Sequence, residues 1–230
     1  MNSAPYRVSF GLRLQRWVLT RVIRFLFKVG GTVRLSGAAH VPLGTSYVVA
    51  INHVSIYDPP LLLVSWPETL EAIGAVDVFD KPVQGQLLAG YGVVPVHRGQ
   101  YDRELIDIVL SMLRAGHAML IAPEGSRSHG GGMQRAKPGI AYIVDEAHVP
   151  VVPVGIVGTT DDYLKQALRF QRPALELRIG KPFTLPAIEG RGEQRREARQ
   201  RNADLVMQHI AGLLPFEYRG VYADSAISPG

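Results

Sequence analysis

Residues 46–60 read SYVVAINHVSIYDPP, and this stretch decides how the chain folds. The apolar run over 46–51 is short, rich in β-branched residues and flanked by polar residues, which is typical of a buried strand. Asp58 followed by Pro59 and Pro60 predicts a helix start, with the aspartate as the N-cap and proline in the first turn. His53 therefore lies at the carboxyl end of a strand, where open α/β sheets bind their ligands.

His53 and Asp58 are separated by four residues. Along a continuous helix they would point about 140° apart, but across a strand-to-helix turn the two side chains can meet. A histidine oriented by an aspartate is the usual arrangement of a general base that takes a proton from a hydroxyl. Taken alone, the pair is equally compatible with a loop histidine beside an ordinary helix cap.

Alternating strand and helix patterns continue through the rest of the chain. The predicted strands are 32–36, 46–51, 70–76, 93–97, 118–122, 150–157 and 174–181. The predicted helices are 59–66, 83–90, 102–115, 138–147, 160–169 and 192–213. This order predicts an α/β fold: a single domain with a mostly parallel or mixed central sheet of about seven strands flanked by helices.

The composition of the chain excludes several classes of protein. With 230 residues, 47% of them hydrophobic, the chain suits one globular domain. The absence of cysteine rules out a disulfide scaffold, thiol catalysis and any cysteine-ligated metal site. There is also no P-loop, no G-x-S-x-G nucleophile elbow and no histidine pair at metal-ligand spacing.

The net charge of +5 comes entirely from the front of the chain. Residues 1–57 carry seven basic side chains and no acidic one, whereas the remainder carries 18 basic and 20 acidic groups. Such a basic arm predicts an anionic partner, either a nucleic acid or a membrane surface.

The pattern of residues 10–29 favours a membrane surface over a nucleic acid as this partner. Their spacing is helical, with a broad apolar arc (Leu14, Val18, Leu19, Val22, Ile23, Phe25, Leu26 and Val29) beside a basic side formed by Arg13, Arg21, Arg24 and Lys28. Arg16 falls outside the basic group. This pattern is typical of an amphipathic helix lying in the headgroup plane, and too many charges interrupt it for a membrane span or a signal peptide. The alternative is a terminal helix that covers the core of its own domain. We therefore divide the chain into a membrane-docking helical segment, 1–31, and an α/β domain, 32–230.

Three further stretches lie at or near strand ends: GVVPVHR at 92–98, PEGSRS at 123–128, and the buried proline-marked strand VPVVPV at 149–154. We expect Arg98 and Arg127 to lie at neighbouring strand ends beside the His–Asp pair. Guanidinium groups bind phosphate bidentately, so the pattern favours a phosphate-bearing substrate whose hydroxyl is the nucleophile.

These four segments, in this order, resemble the glycerolipid acyltransferase family, the 1-acylglycerol-3-phosphate acyltransferases. That family is marked by N-H-x4-D, G-x5-R, P-E-G-T-R-S and V-P-[VI]-[VI]-P-V, and this chain has NHVSIYD, GVVPVHR, PEGSRS and VPVVPV. The resemblance extends from about residue 32 to the end, including LPFEYRGVY at 214–222. Ser126 replaces the usual threonine, and Ala122 and Ala136 replace aromatic residues, which leaves the acyl and headgroup preference open.

The resemblance implies a role for each motif residue. His53, oriented by Asp58, would deprotonate the sn-2 hydroxyl of lysophosphatidic acid, which attacks an acyl-CoA or acyl-carrier-protein thioester and gives phosphatidic acid without an acyl-enzyme. The substrate-binding residues would be Arg98, Glu124, Gly125, Ser126, Arg127 and Lys137. No metal or cofactor is implied, and we expect a peripheral or monotopic protein on the cytoplasmic face of the cell membrane.

Three alternatives remain open at this point. The acceptor could be another lysophospholipid or a lyso-aminolipid. The chain could be a catalytically inactive lipid-binding module, although the intact His53, Asp58 and Glu124 argue against it. A nucleic-acid binder would be supported by the basic arm alone.

Overall fold

A computed structural model describes residues 6–97, 102–128, 130 and 132–228. Within these residues seven strands form one sheet. Their bounds are β1 Thr32–Ser36, β2 Val48–Ile51, β3 Leu70–Ala75, β4 Val94–Val96, β5 Ala118–Ile121, β6 Val151–Val157 and β7 Ala174–Ile179.

The strands are arranged in the order β1-β7-β6-β2-β5-β3-β4. Every pairing is parallel except that of β6 with β7, which is antiparallel. The predicted α/β class and mixed seven-stranded sheet are therefore confirmed. The all-buried β2 lies between β5 and β6, as expected for a strand covered on both faces.

Helices cover both faces of the sheet. They are α1 Phe10–Gly30, α2 Asp58–Ser65, α3 Val76–Phe79, α4 Pro82–Tyr91, α5 Arg103–Arg114, α6 Gly139–Ala147, α7 Tyr163–Leu168 and α8 Gly192–Leu213. Short 3-10 turns occupy Ala38–His40, Phe216–Tyr218 and Gly220–Ser225. The predicted strand 70–76 ends at Ala75 because α3 begins there. The predicted helix 160–169 begins only at Tyr163, because the preceding residues form a turn closed by Thr160 and Asp162.

Alternate residues of β2 divide the core into two clusters. Val48 and Ala50 belong to the cluster formed with α5, α6 and α8, whereas Val49 and Ile51 belong to the cluster formed with α1 and α2. This alternation is the period of two expected for a strand. It fixes β2, and with it the segment that follows Ile51, between two packed layers.

Helix α1 packs against α2, α4 and α7. Its inward side includes Arg16, Phe27 and Gly30, all buried. Arg16, which did not fit the predicted basic side, forms a buried ion pair with Glu71 of β3, with guanidinium-to-carboxylate distances of 2.8 and 2.6 Å. Its Nε also donates to the Tyr91 carbonyl at 2.6 Å.

The predicted apolar arc of α1 is divided by this packing. Leu19 and Ile23 turn towards the domain, while the other apolar members stay exposed, Phe25 to 65%. The exposed set also includes Trp17, on whose ring the Arg21 guanidinium lies at 3.8 Å. Helix α1 therefore covers the core with one face and presents a second apolar face to solvent. In the described part of the chain no helix is long and apolar enough to cross a membrane.

Candidate active site

The candidate site is assembled from three loops that leave adjacent parallel strands at one edge of the sheet. These loops follow β2, β5 and β6, and β2 lies between the other two. Because the carboxyl ends of parallel strands meet at the same edge, residues distant in sequence are brought together there. The predicted motifs NHVSIYD and PEGSRS are two of these loops.

His53 and Asp58 meet as predicted. The His53 Nδ1 lies 3.0 Å from Asp58 Oδ2, and the imidazole is 13% exposed while the carboxylate is fully buried. A carboxylate at Nδ1 selects the tautomer that carries its proton there, so Nε2 keeps the lone pair that can accept a proton.

Asp58 is not the N-cap of α2, contrary to the prediction. It is the first residue of the helix, and its carboxylate turns back to accept the Val54 and Ser55 amides, both at 2.7 Å. Its other oxygen accepts the hydroxyl of buried Thr159. With four donors and no exposure, the Asp58 carboxylate is held in a single orientation facing His53.

Glu124 ties the β5 loop to His53. Its Oε1 accepts the His53 amide at 2.9 Å, and its Oε2 accepts the Gln134 amide at 2.8 Å. Burial, supported by the nearby Asp58 charge, raises the pKa of Glu124 to about 7, although the two amide hydrogen bonds oppose this rise. The carboxyl group therefore spans two loops and fixes the backbone of His53.

Gly125, Ser126 and Arg127 form the exposed part of the PEGSRS loop, which we call the mouth of the site. Gly125 has a φ of 72°, which favours glycine, and a Cβ there would lie 3.3 Å from Lys137 Cγ. The Ser128 amide donates to the His53 carbonyl at 2.8 Å, and Ser126 is half-buried. Arg127, 28% exposed, lies 3.6 Å from the 72% exposed Asp161.

Arg98 lies outside the described residues, so its predicted contact stays a prediction. The expectation that Arg98 and Arg127 follow neighbouring strands is wrong, because β3 lies between β4 and β5 in the sheet. At about 4.8 Å per strand, the ends of β4 and β5 are roughly 10 Å apart at the same edge.

Sequence reasoning missed the contribution of the loop after β6. Gly158, with a φ of 90°, turns the chain so that Thr159 points at Asp58 and Asp161 reaches Arg127. A Cβ at Gly158 would lie only 2.0 Å from the Ala174 carbonyl oxygen. Asn52 fastens β2 to β6 by exchanging two hydrogen bonds with the Ile156 backbone, at 3.0 and 2.7 Å. The run GTTDD at 158–162 follows a predicted buried strand. Because the carboxyl ends of parallel strands meet at one edge of the sheet, this position predicts that Thr159 and Asp161 lie at the site.

A chain of aromatic rings connects α1 to this site. Phe27 of α1 packs against Tyr163 at a ring distance of 5.6 Å, and Tyr163 packs against Tyr57 at 5.0 Å. Tyr57 directly precedes Asp58. The carboxyl-terminal end of α1, the helix that carries the exposed apolar face, therefore lies next to the candidate site.

The chain is similar to known acyltransferases. The profile of the family described as Acyltransferase matches residues 32–157. The 1-acyl-sn-glycerol-3-phosphate acyltransferase alpha of Bos taurus is 27% identical over 170 residues, which cover 73% of this chain and 58% of that protein. The human protein of the same name is 27% identical over 163 residues, covering 70% and 57%. The match thus spans somewhat more than half the length of these relatives.

Two further similarities extend over more of the chain. The lyso-ornithine lipid O-acyltransferase of Pseudomonas aeruginosa is 31% identical over 206 residues, covering 82% of this chain and 76% of that protein. The crystal structure of the 1-acyl-sn-glycerophosphate acyltransferase PlsC from Thermotoga maritima superposes with a TM-score of 0.57 at 23% identity, covering 85% of this chain and 78% of that one. At that identity the superposition supports the fold.

Proposed function

The chain belongs to the acyltransferase family, and we propose that it esterifies the sn-2 hydroxyl of lysophosphatidic acid to give phosphatidic acid. The acyl donor in this proposal is a thioester, either acyl-CoA or acyl-carrier protein. The observation that carries the proposal is the His53–Asp58 pair at 3.0 Å, fixed at the sheet edge and joined through Glu124 to the PEGSRS loop.

In the proposed reaction His53 Nε2 takes the proton of the acceptor hydroxyl as the oxygen attacks the thioester carbonyl carbon. The buried Asp58 carboxylate stabilises the imidazolium that forms. When the tetrahedral intermediate collapses, the carbon–sulfur bond breaks and the leaving thiolate takes the proton from His53. The products are the new ester and a free thiol, and no acyl-enzyme is formed.

Arg127 and Lys137 are the described cations at the mouth of the site that would bind the acceptor phosphate. Arg127 follows Gly125 on the same loop, and the Lys137 amide is anchored to the Pro123 carbonyl at 2.8 Å. A guanidinium binds phosphate through paired hydrogen bonds and an ammonium acts as a point charge. Arg98 is proposed as a third contact.

We also propose that α1 holds the enzyme on the cytoplasmic face of the membrane. Large exposed apolar patches are rare on proteins that stay in water. The exposed residues Leu14, Val18, Val22 and Phe25 form one stripe of α1, with basic side chains beside it. Docking through this stripe would bring the Phe27 end of α1, and the neighbouring site, to the lipid surface.

The proposal is tested by incubating purified protein with acyl donors and lysolipid acceptors and identifying the products by mass spectrometry. Both donors are paired with lysophosphatidate, lysophosphatidylcholine and lyso-ornithine lipid. We expect phosphatidate to form fastest. If no acceptor is acylated with either donor under conditions where the protein is folded, the proposed activity is wrong.

A second candidate acceptor, a lyso-ornithine lipid, is favoured by two observations. This chain matches 76% of the length of the Pseudomonas aeruginosa relative that carries this name. In addition, Asp161 lies 3.6 Å from Arg127, so a negative charge lies beside this cation at the mouth of the site. An ornithine headgroup carries an ammonium and a carboxylate, which suits such a pair, whereas a phosphate monoester is repelled by Asp161.

Asp161→Asn separates the two acceptors. If the acceptor is lysophosphatidate, this variant removes a repulsive charge and its KM for lysophosphatidate should fall. If the acceptor is zwitterionic, its KM for the ornithine lipid should rise instead. Asp162→Asn, one residue away and hydrogen-bonded to Thr160 and Gln166, serves as the charge-matched control.

A further inference from the structure

A groove of about 550 Å³ lies beside α1, outside the site described above. It is bounded by the carboxyl-terminal parts of α1 and α2, by the edge strand β1 and by Arg172. Val64 of α2 lines it, about 9 Å along the helix from Asp58. The groove is thus close to the candidate site without sharing its residues.

Three cations line the groove: Arg24, Lys28 and Arg172. The described lining contains no aspartate or glutamate. Two helix ends converge here and contribute roughly half a negative charge each, so about two positive charges remain uncompensated. A groove with this charge attracts an anion.

The two guanidinium groups are held in place by the backbone. Arg24 Nε donates to the Val64 carbonyl at 2.6 Å, and Arg172 Nη2 donates to the Lys28 and Gly31 carbonyls at 3.0 and 3.3 Å. Arg172 has a φ of 49°, a conformation that costs a non-glycine residue about 1 kcal/mol. Each guanidinium keeps further N–H groups for a ligand, and little side-chain entropy is lost when one binds.

The rest of the lining is mostly apolar and includes Phe27, Val33, Leu35 and Val64, beside the hydroxyl residues Thr32 and Ser65. The groove also adjoins the exposed stripe of α1, since Lys28 lies three residues, about one helical turn, after Phe25 of that stripe. A free phosphate would leave the apolar part unused. A glycerophospholipid matches both parts, with its phosphate on the cations and its glycerol and first methylenes on the apolar floor.

We propose that this groove binds the phosphate of one anionic membrane phospholipid as a site separate from the acceptor site. The proposal rests on the membrane association in the proposed function. Its consequence is that α1 binds the membrane in two ways, through a diffuse apolar stripe and through one lipid held at a defined place. The bound lipid would fix the rotation of α1 about its axis.

The test is native mass spectrometry of the full chain released from detergent micelles with equal amounts of phosphatidylglycerol and phosphatidylcholine. We expect the wild type to retain one phosphatidylglycerol. Lys28→Gln should weaken this binding about tenfold, because one charged contact is lost, and Lys28→Gln with Arg172→Gln should abolish it. Arg13→Gln is the matched control, since Arg13 is an exposed cation on α1 outside the groove.

Three results would overturn the proposal. Equal weakening in the Lys28 and Arg13 variants would mean that only a diffuse basic surface exists. Displacement of the lipid by free CoA or inorganic phosphate at micromolar concentration would indicate a soluble-anion site. Acyl transfer is measured in parallel: active protein that retains no phosphatidylglycerol refutes the groove alone, and inactive protein that retains it refutes the proposed function alone.

Discussion

Replacing Thr159 by valine tests whether the loop after β6 supports catalysis. The Thr159 side chain is buried, and its hydroxyl donates to the Asp58 oxygen that does not face His53. Valine keeps the shape and removes the donor. A hydrogen bond to a charged group is worth about 1.5–3 kcal/mol, so we expect the free energy of unfolding to fall by about 2 kcal/mol.

The same change should slow catalysis, because Asp58 then keeps three of its four donors and holds His53 less firmly. We expect kcat to fall roughly tenfold, equivalent to about 1.4 kcal/mol, with KM within twofold, since Thr159 is not proposed to touch the acceptor. Steady-state acyl transfer well below the unfolding temperature measures both constants. Thr159→Ser should keep most of the activity, and Thr160→Val, whose hydroxyl bonds the exposed Asp162, is the neighbouring control. A Thr159→Val enzyme with wild-type kcat would show that the Thr159 hydrogen bond to Asp58 does not support catalysis.

Three further predictions concern stability and the acceptor site. Arg16→Met should lower the free energy of unfolding, measured in urea, by about 3 kcal/mol, because the buried Glu71 loses its arginine and keeps only the Tyr6 hydroxyl at 3.1 Å and His117 at 3.7 Å. Adding Glu71→Met should restore most of the loss, and equal losses in the single and double variants would contradict this. Because the pKa of Glu124 is about 7 in the folded chain, above its ordinary value, folding should be favoured at low pH and lose about 3 kcal/mol as the pH rises from 5 to 8. Glu124→Gln should remove that pH dependence of urea unfolding, and an unchanged dependence would show that another group causes it. Gly125→Ala should raise the KM for the acceptor several-fold in the acyl-transfer assay, because a side chain at a φ of 72° is strained and crowds Lys137; an unchanged KM would contradict this.

The features that could be predicted from the sequence are those that depend on a short stretch of the chain. The continuous apolar run of β2 and the prolines after Asp58 fixed a strand-to-helix turn, and that turn brought His53 and Asp58 together across only five positions. Helix α1 was predicted as 10–29 and is observed over Phe10–Gly30, because an uninterrupted helical period with Ser9 as cap leaves little freedom.

Contacts between distant segments could not be predicted in this way. The Glu124 carboxylate meets the His53 amide across 71 positions, and Arg16 meets Glu71 across 55. The placement of β3 between β4 and β5 likewise depends on how the strands are ordered, which no local period encodes. That order is what separates β4 from β5, the strand that precedes Arg127.

The role of His53 as a base is tested most directly by the rate of acyl transfer of His53→Ala beside that of Ser55→Ala. The two residues lie on the same turn, and Ser55 carries a buried hydroxyl that takes no part in the proposed chemistry. We predict that His53→Ala loses 10²-fold or more in kcat, because the general base is gone, while Ser55→Ala stays within a few-fold of wild type. An unchanged rate for folded His53→Ala, or an acyl group trapped covalently on Ser55, would contradict direct transfer by a histidine base.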